Sequence, residues 1–269
     1  MPELPEVETT LRAIEKFKNQ RLSHIKVHNR NLRWEVDKNL EEKSKNQIIK
    51  NLRRRAKYLI FDLDNHSIIL HLGMSGSLRI AKHDDNYFLK HDHVEFLFDS
   101  EKIIYNDPRR FGSIHLTKNI DKHKLIHHLG PEPLSKDFNS KYLFALCSGS
   151  KTNIKTLLMN QKNVVGIGNI YASETLYLSK INPLTSSSKL TIDDCKKVVS
   201  SSKKILNAAI KVGGTTLKDF YSADGSPGYF KFKLNVYGRE GSDCKKCKGK
   251  IIKTNINKRA TFYCSSCQS

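Results

Sequence analysis

Apolar side chains recur at Leu4, Val7, Leu11, Ile14 and Phe17, a three-to-four spacing that predicts a helix over residues 5–18. From about residue 22 to 117 the pattern shortens to β-rich runs separated by polar or glycine-bearing turns. Tyr58–Leu63, Ser67–Leu72, His93–Phe98 and Lys102–Tyr105 are the clearest of these runs. Many short strands at close spacing predict a sandwich or barrel. Gly130-Pro131-Glu132-Pro133 breaks the alternation and marks a domain boundary. Beyond it the periodicity is helical, with helices expected at 140–147, 153–160, 169–179 and 191–212. Gly213, Gly214, Gly225 and Gly228, with Pro227, then predict a mobile loop over residues 213–231.

Composition narrows the class of partner. The 269 residues carry 47 Lys plus Arg against 27 Asp plus Glu, a formal net charge of +20. Such an excess suits a polyanion, because each cation set on a phosphate releases condensed counterions. An anionic membrane surface would attract the same charge, but there is no apolar run long enough to span a bilayer and no apolar signal core. Abundant Lys, Asn, Ile and Ser also reflect a compositional bias, so charge alone favours nucleic acid without proving it.

Six cysteines add a sharper signal. Cys147 and Cys195 stand alone and read as ordinary thiols, whereas Cys244-x-x-Cys247 and Cys264-x-x-Cys267 are separated by sixteen residues. That is zinc-ribbon spacing, in which two knuckles close one tetrahedral structural site. Lys253, Lys258 and Arg259 lie between the knuckles and suit phosphate binding, with a solvated basic face as the bland alternative.

Other segments carry chemistry less specifically. Pro2 would become a free secondary amine if Met1 is removed. An α-amino group titrates near ~8, about two units below a lysine, and its neutral form attacks carbon without an activating base. Glu3 and Glu6 stand within reach as acid and base, although Pro5 and Glu6 equally suit the first turn of a helix. Gly166-Ile167-Gly168-Asn169 permits a tight turn with Asn169 as the cap of the next helix, giving a phosphate-binding helix start or a plain connection. Arg53–Lys57 precedes a strand. Met74 and Phe111 put large side chains in turns that also carry Ser75 and Arg109, which suits either core packing or wedges into a base stack.

Taken together, Pro-Glu-Leu-Pro-Glu-Val-Glu, Arg-Arg-Ala-Lys-Tyr, His-Leu-Gly-Met-Ser-Gly, Asp-Pro-Arg-Arg-Phe-Gly, Gly-Ile-Gly-Asn-Ile-Tyr-Ala and the four-cysteine end resemble the bacterial formamidopyrimidine-DNA glycosylase family across nearly the whole chain. Leu4 and the Gly214–Phe230 loop resemble the oxidised-purine branch more than the endonuclease VIII branch, which acts on oxidised pyrimidines. Lys248 departs from the family, which usually has glycine there.

The resemblance implies an α+β protein. Residues 1–130 would form a catalytic β-sandwich with flanking helices, 131–235 a helix-two-turn-helix DNA-binding domain, and 236–269 a zinc-finger β-hairpin. It implies one structural zinc on Cys244, Cys247, Cys264 and Cys267. It also implies a monomeric repair enzyme of the bacterial cytoplasm, associated with the nucleoid, acting on double-stranded DNA that contains oxidised purines or abasic sites.

By the same resemblance Pro2 would attack the sugar, Glu3 would protonate its ring oxygen, and Glu6 would order the N-terminal segment. Lys57, His71, Asn169 and Arg259 would grip phosphates. Met74, Arg109 and Phe111 would fill the gap in the duplex, while Lys155 and the 215–230 loop would close on the flipped base. A non-catalytic zinc-ribbon nucleic-acid binder and the pyrimidine-directed sister activity are the competing readings.

Overall fold

The computed structural model describes residues 2–85, 87–215 and 233–269, so most of the predicted 213–231 loop lies outside the described residues. The chain forms two compact units, Met1–His127 with Val212–Lys231, and His128–Lys211 with Phe232–Ser269.

The first unit opens with helix α1 (Leu4–Ile14), which continues as a short 3-10 turn through Phe17. Its helix begins one residue earlier than Pro5 would dictate, because Glu3 is the N-cap and closes a reciprocal capping box with Glu6. Strands β1 (Arg21–Leu22), β2 (His24–Val27), helix α2 (Leu40–Ser44), β3 (Gln47–Ile48), β4 (Asn51–Arg55), β5 (Tyr58–Asp62), β6 (Ser67–His71), β7 (Ser77–Lys82), β8 (Asp92–Leu97), β9 (Glu101–Asn106) and β10 (Ser113–Thr117) follow.

They build two four-stranded antiparallel sheets, ordered β10-β6-β5-β4 and β2-β8-β9-β7. The strand period of two sends alternate residues inward. Leu59, Phe61, Ile68 and Leu70 of one sheet meet Val94, Phe96, Ile103 and Tyr105 of the other, all essentially without solvent exposure. Phe61 and Phe96 stack across the layers at 5.4 Å. This is the predicted sandwich, and α1 packs against β4 and β5 beside it.

The second unit contains α3 (Ser140–Ser148), α4 (Ile154–Met159), α5 (Asn169–Ser179), α6 (Ile192–Lys211) and the hairpin β11 (Ile251–Ile256) to β12 (Arg259–Cys264). Asn139 and Asn153 cap α3 and α4 by accepting from Tyr142 and Thr156 backbone N–H groups. The hairpin register pairs Ile256 with Arg259, leaving Asn257 and Lys258 as a two-residue turn with φ of 48° and 60°. Both positive values are those of the tight turn that matches strand twist. Tyr177 of α5 packs with Val236, Ile251 and Phe262, which seats the hairpin on the helices.

Candidate active site and nucleic-acid interface

In the first unit the chain start is fixed by carboxylates. Glu3 and Glu6 are 3% and 2% exposed. The Glu3 N–H donates to Glu6 Oε2 at 2.9 Å, and the Glu6 N–H donates to the Glu3 carboxylate. Glu6 Oε1 also accepts from the Thr215 N–H at 2.7 Å. Gly214, at φ +77°, approaches Glu6 so closely that a Cβ there would lie 3.0 Å from Oε1. Glycine therefore brings residues 214–215 onto α1, and buried Pro2 directly precedes the pair of acids.

Two turns beside the sandwich present the large side chains noted in the sequence. Met74 is 38% and Phe111 42% exposed, so neither is core. Arg109 lies over the Phe111 ring at 4.8 Å. What holds both turns is Asp107, which is fully buried. Its Oδ1 accepts from Ser75 Oγ at 2.6 Å, and its Oδ2 accepts from Tyr105 Oη at 2.9 Å and the Gly112 N–H at 2.8 Å. The turns also touch through backbone: a Cβ on Gly73 would sit 2.4 Å from the Gly112 nitrogen. Asp107 is a residue that sequence reasoning missed. Its signal was an Asp opening an Asp-Pro turn, but its partners lie up to 32 positions away.

Lys57 occupies the β4–β5 turn after Ala56, whose φ is +54°, and is 6% exposed. His71 ends β6. Its Nδ1 accepts the Gly73 N–H at 3.0 Å, which leaves the ring proton on Nε2. Burial, followed by the positive charges of Lys57 and Arg33, lowers its pKa from 6.5 to about 4. At neutral pH His71 is thus an uncharged hydrogen-bond donor rather than a cation.

In the second unit Lys155, Asn169 and Arg259 converge on the start of β12. Lys155 is 1% exposed, with Nζ donating to Thr261 Oγ1 at 2.7 Å and to the Ala260 carbonyl at 3.2 Å. Asn169 Nδ2 donates to that same carbonyl at 2.9 Å. Asn169 is not the helix cap that its sequence predicts: Gly168 is the N-cap, and Asn169 is the first helical residue. The extended backbone of Gly168 frees the Asn169 side chain to reach the hairpin. Arg259, next to the pinned carbonyl, is exposed.

The four cysteine Sγ atoms at the hairpin base lie within 4.8 Å of one another. Cys244–Cys267 and Cys247–Cys264 are separated by 3.8 and 3.5 Å. Tetrahedral Zn–S bonds of about 2.3 Å place sulfurs about 3.8 Å apart, so the donor set fits one structural zinc. The Lys246 N–H donates to Cys244 Sγ at 3.4 Å, as a metal knuckle requires. Lys248, inside the first knuckle's loop, takes φ +62° with all four sulfurs still gathered within 4.8 Å.

Comparison with known proteins bears on the whole chain. Residues 1–114 match the formamidopyrimidine-DNA glycosylase N-terminal domain, and residues 129–221 match the formamidopyrimidine-DNA glycosylase H2TH domain. A formamidopyrimidine-DNA glycosylase of Hydrogenovibrio crunogenus is 48% identical over 271 residues, covering 100% of this chain and 96% of that protein.

Among solved structures, a Lactococcus lactis FPG mutant bound to Fapy-dG-containing DNA superposes with a TM-score of 0.92 at 35% identity, covering 100% of both chains. The Lactococcus lactis Fpg complex with abasic-site DNA gives a TM-score of 0.92 at 35% identity and 99% coverage of both. A β-sandwich joined to a helical unit and a four-cysteine hairpin is thus the architecture of a DNA repair glycosylase. The chain belongs to the formamidopyrimidine-DNA glycosylase family, whose activities are glycosylase and abasic-site lyase.

Proposed function

We propose that this chain excises oxidised purines from duplex DNA through Pro2 and then cuts the strand by β,δ-elimination. The observation that carries the reading is the N-terminal acid pair: two buried carboxylates locked by a reciprocal capping box immediately after Pro2. With Met1 removed, the Pro2 nitrogen lone pair attacks C1′. The C1′–base bond breaks with its electron pair leaving on the base, which takes a proton from water. The proton shed by the alkylated Pro2 nitrogen passes to the Glu3 carboxylate. The Glu3 carboxyl delivers a proton to the sugar ring oxygen, the ring opens, and an iminium joins Pro2 to C1′. Loss of a C2′ proton expels the 3′ phosphate, and a second elimination expels the 5′ phosphate. Water then releases the sugar fragment and restores the amine.

A base stacked in a duplex exposes no path to C1′, so extrusion comes first and costs a few kcal/mol. In this reading Met74, Phe111 and Arg109 occupy the vacated space, with Arg109 facing the orphan base. Lys57, His71, Asn169 and Arg259 hold phosphates, His71 as a neutral donor. Lys155, which the resemblance sets over the flipped base, acts in this reading by pinning the Ala260 carbonyl beside Arg259. Zinc on the four cysteines holds the hairpin in shape. The protein works as a monomer in the cytoplasm of a bacterium, where its chromosomal substrate lies. Among the described residues no helix is long and apolar enough to cross a membrane.

Borohydride reduction with abasic-site duplex tests the nucleophile. A covalent adduct is expected with the mature chain, and Pro2→Gly should weaken or abolish it. A normal adduct yield after chemical blocking of the N-terminus would refute Pro2. Comparing excision of 8-oxoguanine with that of thymine glycol separates the purine reading from the sister activity.

A further inference from the structure

A cavity of about 370 Å³ lies in the first unit on the outward face of the β2-β8-β9-β7 sheet. The facing follows from the register: Ile25, Phe96 and Ile103 point into the core, so their neighbours Lys26, Glu95 and Lys102 point out. His71 follows the inward-facing Leu70 and looks out from the other sheet. The cavity therefore shares no residue with the candidate active site, and its size lies within the range of small-ligand pockets.

Its walls combine charge with rings. Glu95 is 7% exposed and is matched by Lys102 Nζ at 3.3 Å and His28 Nε2 at 3.6 Å. Among the described residues Lys26 pairs with no carboxylate, so the wall keeps a surplus cation beside His24 and His83. At the rim Tyr87 and Phe88 are 66% and 51% exposed. Phe88 meets His28 edge to face at 4.8 Å.

These rings sit on a connection that is tied down on both sides of them. Lys102 Nζ donates to the Asp85 carbonyl at 2.7 Å, the Tyr87 N–H donates to Asp85 Oδ1 at 2.9 Å, and the Leu89 N–H donates to Asp92 Oδ2 at 2.9 Å. Two adjacent, largely exposed aromatic residues lining a pocket with a surplus cation match one ligand chemistry: a flat ring system joined to an anion.

We propose that this pocket binds a nucleoside phosphate, with the base stacked on Phe88 or Tyr87 and the phosphate on Lys26, outside the duplex-binding surface. The unit bound is one nucleotide, supplied either free or by a single-stranded stretch of nucleic acid.

The zinc-loaded full chain is first saturated with duplex carrying a tetrahydrofuran abasic analogue, which fills the duplex interface proposed above. Fluorescent etheno-AMP and, separately, labelled oligothymidylate are then titrated. Saturable binding is expected, weakened about tenfold or more by Lys26→Glu and by the double substitution Tyr87→Ala/Phe88→Ala, as loss of a stacked base implies. Excision from duplex should be unchanged in both variants, whose altered side chains are exposed and thus leave the fold intact.

Oligothymidylate binding that responds to these substitutions identifies single strands as the source. A response confined to etheno-AMP identifies free nucleotide. Absence of saturable binding, equal binding by the variants, or loss of binding on saturation with duplex overturns the proposal. None of those results touches the Pro2 reading, which is tested by trapping.

Discussion

The two units secure their functional groups by different physics. In the first, buried carboxylates gather backbone and hydroxyl donors: Glu6 takes the Thr215 N–H, and Asp107 takes Ser75, Tyr105 and Gly112. In the second, cationic and amide donors gather on a carbonyl, with Lys155 and Asn169 both meeting Ala260, and a four-cysteine cluster closes the base of the hairpin. A continuous sandwich core supports the first arrangement, whereas a smaller cluster around Tyr177 and Phe262 supports the hairpin. The lesson is that the end proposed to react rests on the fold itself, while the end proposed to bind phosphate rests on a hairpin whose four cysteines are placed to hold a zinc ion.

Chelation gives the largest effect and tests that contrast directly. Structural zinc contributes on the order of 10 kcal/mol to folding in small cysteine modules. Stripping the metal should free the amides of β11 and β12 to exchange quickly, weaken duplex binding severely, and leave β5, β6, β8 and β9 protected. Hydrogen exchange read by mass spectrometry resolves these segments. Persistent protection of the hairpin without metal would show that the Tyr177 cluster suffices, and the contrast would break.

Asp107→Ala is expected to come next. It strands three donors in a site with no solvent access, a loss of roughly 3–5 kcal/mol. Denaturant melts should report that loss, and excision should fall because both wedge turns lose their common anchor. Asp107→Asn, which keeps one acceptor oxygen, should recover part of both. An Asp107→Ala protein with unchanged excision would mean that the Gly73–Gly112 contact alone positions the wedges.

These two cases also show what was legible beforehand. The sandwich, the four helices and the zinc knuckles follow from local period and spacing, and each stands near its expected bounds. The Asp107 hub does not, because its meaning comes from two turns meeting through glycines that a linear pattern cannot bring together. Asn169 reads as a helix cap, and Lys155 is set over the flipped base by the resemblance alone; that both meet the Ala260 carbonyl shows only once the hairpin is laid across them. The pocket under Tyr87 and Phe88 was equally hidden, since outward strand positions such as Lys26 and Glu95 read as ordinary solvent-facing residues. The predicted loop beyond Thr215 lies outside the described residues.

Acid stability sharpens the picture of the first unit. His71 is held down to about 4 by burial and by Lys57 and Arg33, and His115 to about 4 by burial, His123 and Lys124. Both are depressed below their unfolded value of 6.5, so the unfolded chain takes up protons first as pH falls. Their contribution is complete above about 6.5 and is lost progressively down to about 4. Thermal melts should therefore show the wild type losing more stability between pH 7.5 and 5 than a His71→Asn/His115→Asn variant. Parallel curves would remove these two residues from the account. The contribution of His71 to duplex binding should meanwhile be the same at pH 6 and pH 8, since the ring stays neutral at both.

The smallest effect concerns the zinc knuckle. Lys248 adopts φ +62°, a left-handed conformation that crowds the Cβ of any residue but glycine, while its N–H donates to the Cys244 carbonyl at 3.0 Å. A non-glycine residue pays about 1 kcal/mol there. Lys248→Gly removes that strain but also gives the unfolded chain more freedom, which offsets part of the gain. The net expectation is a hairpin more stable by a few tenths of a kcal/mol up to ~1 kcal/mol, with tighter zinc retention against a competing chelator. Because Lys248 lies on the metal loop and not in the sandwich, the change should appear in metal competition and leave the exchange of β5 and β6 untouched. A variant that releases zinc faster would show that the lysine side chain itself supports the knuckle, and backbone strain would no longer describe this position.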